Sequence, residues 1–225
     1  MADQAAARFA DRREAGAALA AMLQHHAGRP GVVVLALPRG GVPVGYEVAE
    51  ALGAALDIFL VRKLGMPGHP EFAMGAIASG GVRVLSDDVV RMYGISAEAI
   101  ERVARTEQAE LERREREYRQ NHAAVDVKDK TVILVDDGLA TGSTMRAAVQ
   151  AVRRQSPARV IVAAPVGAPA TCAEFRLLAD EVVCARTPEP FSAVGLWYQD
   201  FTQTSDDEVQ SLLRTHAGKL AGTAR

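Results

Sequence analysis

The sequence is poor in the residues that mark several classes of protein. Two cysteines in 225 residues are too few for a disulfide framework, and we expect Cys172 and Cys184 to be buried thiols in a reducing compartment. No apolar run reaches about 18 residues, and the first residues are charged, unlike the apolar centre of a signal peptide. The sequence therefore predicts a cytoplasmic protein without a membrane span.

The sequence also lacks an excess of charge of either sign. Lys and Arg total 26 against 28 Asp and Glu, which gives a formal net charge of -2. Proteins that bind nucleic acid usually present a basic surface, so this balance argues against a nucleic-acid partner. The hydrophobic fraction of 48% and the charged fraction of 24% are ordinary for a folded domain.

Short apolar runs alternate with helical patterns along the chain. Residues 32–37 and 131–135 are continuous apolar runs rich in β-branched residues, which predicts buried parallel strands. Further strands are predicted at residues 56–61, 159–166 and 181–184, and helices at 9–24, 42–53, 143–155, 171–178 and from 205. This alternation predicts an α/β fold with a Rossmann-like parallel sheet flanked by helices. We expect a single domain over residues 1–225.

Two segments depart from this alternation. Residues 72–85 predict an antiparallel hairpin. Residues 96–122 predict a long polar helix, in which acids precede arginines by four positions, as Glu110 precedes Arg114. Its apolar positions are few, which indicates an arm docked along one thin stripe or, alternatively, a dimer contact.

The clearest chemical signal is the stretch TVILVDDGLATGST at residues 131–144. A predicted strand ends in Asp136 and Asp137, and a loop follows at a helix N-terminus; its residues are Ala140, Thr141, Gly142, Ser143 and Thr144. Backbone N–H groups and hydroxyls at such a terminus form a cradle suited to a phosphate. Two carboxylates would repel that phosphate unless they have another task, such as hydrogen bonding to ribose hydroxyls with or without a metal ion.

This stretch resembles the signature with which type I phosphoribosyltransferases bind 5-phosphoribosyl-1-pyrophosphate (PRPP). The resemblance implies the fold of that family, with a small hood and here a helical insertion, and it favours a homodimer. The loop at residues 140–144 would bind the 5-phosphate, and Asp136 and Asp137 would hold the ribose hydroxyls. The implied cofactor is Mg²⁺, bound through PRPP with possible help from these two acids, because no all-protein metal site is visible.

Two further segments match positions at which this family binds pyrophosphate. The first is Pro38, Arg39, Gly40 and Gly41, where Arg39 offers a fixed positive charge and the glycines let backbone amides approach oxygens. The family often has a cis peptide bond in this loop. The second is Val61-Arg62-Lys63, which resembles a segment whose cation meets the pyrophosphate. We expect Lys63 to make that contact, with Arg62 as the alternative.

An aromatic-rich segment in a chain with only 5% aromatic residues indicates the acceptor site. Residues 185–202 lie where the family carries the hood that covers the acceptor base. Phe191, Trp197 and Tyr198 are candidates for stacking on a planar base, and Asp200 is a candidate for accepting from ring N–H groups. The same aromatics would alternatively close the core or a dimer interface. The segment does not identify the base.

The resemblance implies a pentosyltransferase that uses PRPP and Mg²⁺ to transfer 5-phosphoribosyl to a nitrogenous base or similar acceptor, with release of pyrophosphate. The expected catalytic residues are Asp136, Asp137, Lys63 and Arg39. Residues 64–122 would comprise a flexible loop or hairpin and the arm, and closure of the loop would exclude water. Two alternatives are a PRPP-sensing regulatory protein and a nucleotide phosphoribohydrolase or phosphorylase acting at the same site.

Overall fold

A computed structural model describes residues 8–120 and 122–223 of the chain. The outer limits predicted for the domain, residues 1–7 and 224–225, lie outside the described residues. The helices are α1 (Arg12–Met22), α2 (Gly41–Leu52), α3 (Asp87–Met92), α4 (Ala97–Arg119), α5 (Ser143–Arg153), α6 (Pro169–Phe175) and α7 (Asp206–Thr223). The strands are β1 (Val32–Ala36), β2 (Ala55–Ile58), β3 (Val61–Met66), β4 (His69–Ala78), β5 (Val82–Leu85), β6 (Thr131–Val135), β7 (Arg159–Val166) and β8 (Glu181–Arg186). Within the described ranges, no helix combines the length and the apolar character needed to cross a membrane.

Five strands form a parallel sheet in the order β2-β1-β6-β7-β8. Successive side chains of a strand point to opposite faces, so Val33 and Leu35 pack with α5 and α6 while Val32 and Val34 pack with α1 and α2. Both faces are therefore covered, which explains why β1 and β6 are almost purely apolar. The predicted Rossmann-like sheet flanked by helices is confirmed.

The neighbouring positions of β1 and β6 decide where the site forms. The two strands run parallel and in register, with Ala36 opposite Val135 at their carboxyl ends. Each strand leads directly into one of the two loops singled out in the sequence. Ligand crevices in open α/β sheets lie at this edge, so the fold brings the two loops together.

The structure corrects the predictions for residues 56–85. The strand expected at 56–61 ends at Ile58, and β3 starts a separate antiparallel sheet in the order β3-β4-β5. Residues 64–71 begin the segment expected to be a flexible loop or hairpin, and they form the end of β3, a turn and the start of β4. Gly68 has φ of 82°, a value that permits the tight turn between these strands. Because the backbone is paired here, the hairpin predicted at 72–85 is part of a longer three-stranded sheet.

The predicted arm is the 23-residue helix α4. One stripe of its side chains is buried against β3, β4 and α7: Ala104, Leu111 and Tyr118. At its C-terminal end, Arg119 Nε lies 2.8 Å from Asp57 Oδ1, and both side chains are almost fully buried. The arm is thus docked along a thin stripe on its own chain.

The two cysteines overturn the expectation of free thiols. Cys172 in α6 and Cys184 in β8 are joined in a disulfide, with their Cα atoms 7.0 Å apart. Both sulfur atoms lie beside Gly167, where a Cβ atom would come within 2.5 Å of Cys172 Sγ. Sequence spacing does not reveal this juxtaposition, because the turn between α6 and β8 creates it.

Candidate functional site

The two loops at the carboxyl edge of the sheet are in direct contact. A Cβ atom on Gly41 would lie 2.8 Å from the carbonyl oxygen of Val135 and 3.0 Å from Asp136 Cα. A Cβ atom on Gly40 would overlap the carboxyl group of Asp137. These glycines let the loop that follows β1 pass within van der Waals distance of the two acids, an approach that a side chain would block.

The loop after β1 has the backbone feature that the family resemblance implies. The peptide bond between Pro38 and Arg39 is cis. The Arg39 side chain is one-third exposed, and its Nη1 lies 3.7 Å from Asp206 Oδ1 at the start of α7. Tyr118 of the arm donates its hydroxyl to the same Asp206 oxygen at 2.5 Å, and burial together with this bond raises the pKa of Tyr118 to about 12. Arg39 is thus partly exposed and is paired with the start of α7.

Asp136 and Asp137 form a tightly coupled pair of acids. Asp136 Oδ1 accepts a hydrogen bond from the backbone N–H of Asp137 at 2.9 Å. Burial, reinforced by the neighbouring Asp137 charge, raises the pKa of Asp136 well above its ordinary value. Burial also raises the pKa of Asp137, although the guanidinium of Arg12 opposes that shift. Near neutral pH the pair can therefore hold a proton more readily than exposed carboxylates would.

Arg12 is a site residue that sequence reasoning missed. Its Nε donates to Asp137 Oδ2 at 2.9 Å, and its Nη1 donates to the carbonyl oxygen of Thr202 at 2.7 Å. The guanidinium carbon lies 4.0 Å from the centre of the Phe201 ring. Arg12 belongs to no motif and stands 125 positions before Asp137, so nothing in the sequence signalled this contact.

The loop after β6 is shaped as an open cradle at the N-terminus of α5. Gly142 has φ of 69°, and a Cβ atom there would lie 2.6 Å from the Phe175 ring. Thr171 Oγ1 donates to the carbonyl oxygen of Ala140 at 2.6 Å and fixes the other side of the loop. Three residues with hydroxyl groups are exposed here, Thr141, Ser143 and Thr144. The first turn of α5 contains no acidic residue, so the helix terminus presents its N–H groups without a competing negative charge.

Lys63 and Arg62 are separated by the alternation of side chains along β3. Arg62 Nε lies 2.5 Å from Glu107 Oε2, so this side chain faces the arm. Lys63 is exposed on the opposite face and lines a cavity of about 200 Å³ together with Ser143 and Thr144 of α5. The structure therefore brings Lys63, and not Arg62, to the side of the cradle.

The hood differs from its predicted form at two of the four candidate residues. Tyr198 is 2% exposed, packs on Phe9 and donates its hydroxyl to the backbone carbonyl of Asp137 at 2.6 Å. The ring of Tyr198 cannot stack on a base, because it is buried in the core of the chain itself. Asp200 instead accepts from the backbone N–H and the hydroxyl of Thr202, at 2.8 and 2.6 Å, and so fixes the hood turn.

The other two hood candidates are partly accessible. Phe191 and Trp197 pack at the margin of the cluster that contains Phe9, Val166 and Tyr198. The indole Nε1 of Trp197 is buried and has no hydrogen-bond partner among residues 8–120 and 122–223. This packing agrees with the alternative that the aromatics close the core. Phe201 was not among the candidates, yet its 37% exposed ring lies beside Arg12 at the mouth of the site.

Comparisons with known proteins extend the similarity from the motif to most of the chain. A family model described as "Phosphoribosyl transferase domain" matches residues 9–191. Two curated proteins of Mycobacterium tuberculosis, from strains CDC 1551 / Oshkosh and ATCC 25618 / H37Rv, are each named "Putative phosphoribosyl transferase" and are 49% identical over 209 residues. The match covers 92% of this chain and 47% of theirs, so the chain spans about half the length of these relatives.

A solved structure is similar over a comparable share of the chain. The crystal structure of TT1426 from Thermus thermophilus is 44% identical in sequence and has a TM-score of 0.81. The match covers 92% of this chain and 97% of that chain. The similarity therefore includes the whole architecture that supports the two loops.

Proposed function

The chain belongs to the phosphoribosyl transferase family, and from this premise we propose that it transfers 5-phosphoribosyl from PRPP to a small-molecule acceptor, with Mg²⁺ as cofactor and release of pyrophosphate. The acceptor we propose is a nitrogenous base or a similar group. One observation supports this most: the acid pair, the cradle of α5 and the loop at residues 38–41 meet at one edge of the sheet.

The cradle supplies the features that a phosphate monoester needs. Its hydroxyls and backbone N–H groups are exposed at the start of α5, and the first turn of the helix carries no acid. Anions are stabilised at helix N-termini by the unpaired N–H groups and by the helix dipole. We assign Ala140, Thr141, Gly142, Ser143 and Thr144 to the 5-phosphate on this basis.

We assign the acid pair to the sugar. With the phosphate in the cradle, the ribose ring would lie toward Asp136 and Asp137, whose oxygens accept hydrogen bonds from hydroxyl groups. A glycosyl transfer of this kind develops positive charge on the ring, and preorganised carboxylates stabilise that charge. Asp137 is also our candidate for exchanging a proton with the acceptor, because burial raises its pKa toward the working range of a general base.

Two cations would neutralise the leaving pyrophosphate. Arg39 lies on the loop after β1 and is one-third exposed, and Lys63 of β3 lines a cavity together with Ser143 and Thr144. Pyrophosphate would compete with Asp206 for Arg39, since that ion pair is long and partly exposed. Arg62 forms an ion pair with Glu107 and is therefore the weaker candidate for the pyrophosphate contact.

The residues present fit Mg²⁺ by their chemistry. The ion prefers oxygen ligands and usually keeps several waters. Asp136 and Asp137 offer carboxylate oxygens, and they lie beside two glycines at which a side chain would collide with them. When bound with PRPP, Mg²⁺ would offset the negative charge of the pyrophosphate. The chain's own part is to hold the sugar, orient the leaving group and limit access of water through the hood and the β3–β5 sheet.

The decisive experiment incubates the protein with PRPP, Mg²⁺ and a panel of purines, pyrimidines and other amine acceptors. Pyrophosphate release that requires an acceptor, with a ribosylated product, is the expected result. Saturable PRPP binding without turnover would instead favour a sensor, and pyrophosphate release without any acceptor would favour hydrolysis. Two further parts of the proposal, a homodimer and a cytoplasmic location, are checked by light scattering and by localisation of a tagged chain.

A further inference from the structure

Arg12 joins three parts of the molecule that the sequence keeps far apart. The residue opens α1, and its side chain is only 11% exposed. One guanidinium nitrogen binds the Asp137 carboxylate, and another binds the carbonyl oxygen of Thr202 in the hood turn. The planar group also stacks near Phe201, with Tyr198 at 6.0 Å. An arginine can make these contacts together because its donors are arranged in a fixed, planar fork.

The hydrogen bond from Arg12 holds the Asp137 carboxylate in position. The groups facing Asp137 are Arg12 from α1, Asp136 from its own loop, the Tyr198 hydroxyl on its carbonyl oxygen and the backbone of Gly40. Arg12 is the only cation among these described groups. When the cationic partner of a part-buried carboxylate is removed, the hydrogen bond that held the carboxylate in position is lost.

We propose that Arg12 is a positioning residue for the transfer reaction: it holds the Asp137 carboxylate against the loop after β1 and ties it to the hood turn at residues 198–202. The inference rests on the proposed function, since it assigns Asp137 its part in that reaction. It goes beyond that function because it makes the N-terminal helix a component of the site. The state of the hood and the orientation of the catalytic acid are then linked through one side chain.

The neighbouring Arg13 provides a matched control. It lies on the same helix, and its Nε binds Glu47 Oε1 at 2.8 Å, but its side chain is 65% exposed and points away from the acids. Arg12→Met keeps the unbranched apolar stem of the side chain while removing the guanidinium group, and Arg13→Met makes the same change outside the site. Arg12→Lys restores the charge without the planar fork.

Kinetics of these variants give the first readout. We expect Arg12→Met to lower kcat by about 10- to 100-fold, the effect of losing a charge-assisted hydrogen bond, with a smaller effect on the KM for PRPP. Arg12→Lys should recover part of the turnover, and Arg13→Met should match the wild type. In the Asp137→Asn background, Arg12→Met should cause little further loss. Equal kcat values for Arg12→Met and Arg13→Met would overturn the proposal.

Two measurements remain informative even without turnover and so separate this inference from the proposed function. The chain has a single tryptophan, Trp197, which reports on the hood through its fluorescence. We expect Arg12→Met, but not Arg13→Met, to shift that emission and, in crystal structures of the two variants, to move the Asp137 carboxyl away from Gly40. A wild-type protein that neither binds nor consumes PRPP refutes the proposed function, whereas an unchanged Trp197 emission and an unchanged Asp137 position in Arg12→Met refute the role of Arg12.

Discussion

The carboxyl group of Asp137 lies against the backbone of Gly40, in the space that any side chain at position 40 would occupy. These residues come from different loops, one after β1 and one after β6, and they meet because the two strands are neighbours in the sheet. The geometry of the acid pair therefore depends on the absence of a single Cβ atom almost one hundred positions earlier in the chain.

Gly40→Ala tests that dependence. The new methyl group would collide with Asp137 and displace either the acid or the loop, so we expect PRPP turnover to fall by about 100-fold, as other misplacements of a catalytic group do. Steady-state kinetics measures the change. Gly218→Ala is the matched control, because a Cβ atom at that position in α7 meets nothing within 4 Å. Normal turnover in Gly40→Ala would show that the loop accommodates the methyl group.

Asp137→Asn removes the charge while preserving the shape of the side chain. We expect kcat to fall by about 100- to 1000-fold, since a preorganised group that stabilises the transition state is lost. The variant should still fold, because the amide keeps the shape of the side chain and its oxygen can accept from Arg12. Calorimetry and steady-state kinetics check both expectations, and near-normal activity would remove Asp137 from its proposed role.

The two cations of β3 should respond differently to the same substitution. Lys63→Met should raise the KM for PRPP and lower kcat by about tenfold or more, because a cation facing the proposed pyrophosphate position is lost. Arg62→Met should chiefly weaken the docking of the arm, since this side chain binds Glu107. Kinetics and thermal unfolding of both variants separate the two effects. A larger kinetic defect in Arg62→Met would reverse the assignment.

Thr141→Ala probes the phosphate cradle. Loss of one hydroxyl bound to a charged phosphate should weaken PRPP binding by about 1.5 kcal/mol, or roughly tenfold, with a smaller effect on kcat. Isothermal titration with PRPP and Mg²⁺ measures the affinity. Thr106→Ala on the exposed side of the arm serves as the control. Equal PRPP affinity in the two variants would count against the cradle.

Stability should depend on pH through His26, at the edge of the sheet opposite the site. His26 is 2% exposed, its Nε2 lies 3.1 Å from Glu181 Oε2, and burial lowers its pKa. The unfolded chain then binds a proton at about pH 6.5, before the folded chain does, so the wild type loses stability as the pH falls below that value. We expect the free energy of unfolding of His26→Gln to depend less on pH than that of the wild type. Chemical denaturation between about pH 5 and 8 measures this dependence, because the proton uptake occurs in that range. An unchanged slope would assign the loss to other groups.

The central sheet could be predicted because its strands are encoded locally. Short apolar runs rich in β-branched residues, such as 32–37 and 131–135, are typical of buried strands. The loops that follow these two runs have distinctive compositions. Two loops that follow adjacent parallel strands must meet at one edge of the sheet. The proximity of Gly41 to Asp136 thus followed from the pattern of strands.

The remaining features depend on contacts between distant residues. The segment at residues 61–66 is short and follows β2 after only two residues, and only its pairing with β4 identifies it as part of a second sheet. The disulfide of Cys172 and the ion pair of Arg12 with Asp137 depend on how separate elements pack. Tyr198 was predicted to be an accessible aromatic because the local sequence does not show that it packs against Phe9, a distant residue.

The position of α7 also has a consequence for the order in which the molecule assembles. This helix packs against α2, β2 and α4, and its Asp206 contacts both Arg39 and Tyr118. Until residues 206–223 have left the ribosome, the arm has only part of its docking surface and Arg39 lacks its partner. We therefore expect the nascent chain to complete its sheet first and to secure the arm and the loop after β1 last.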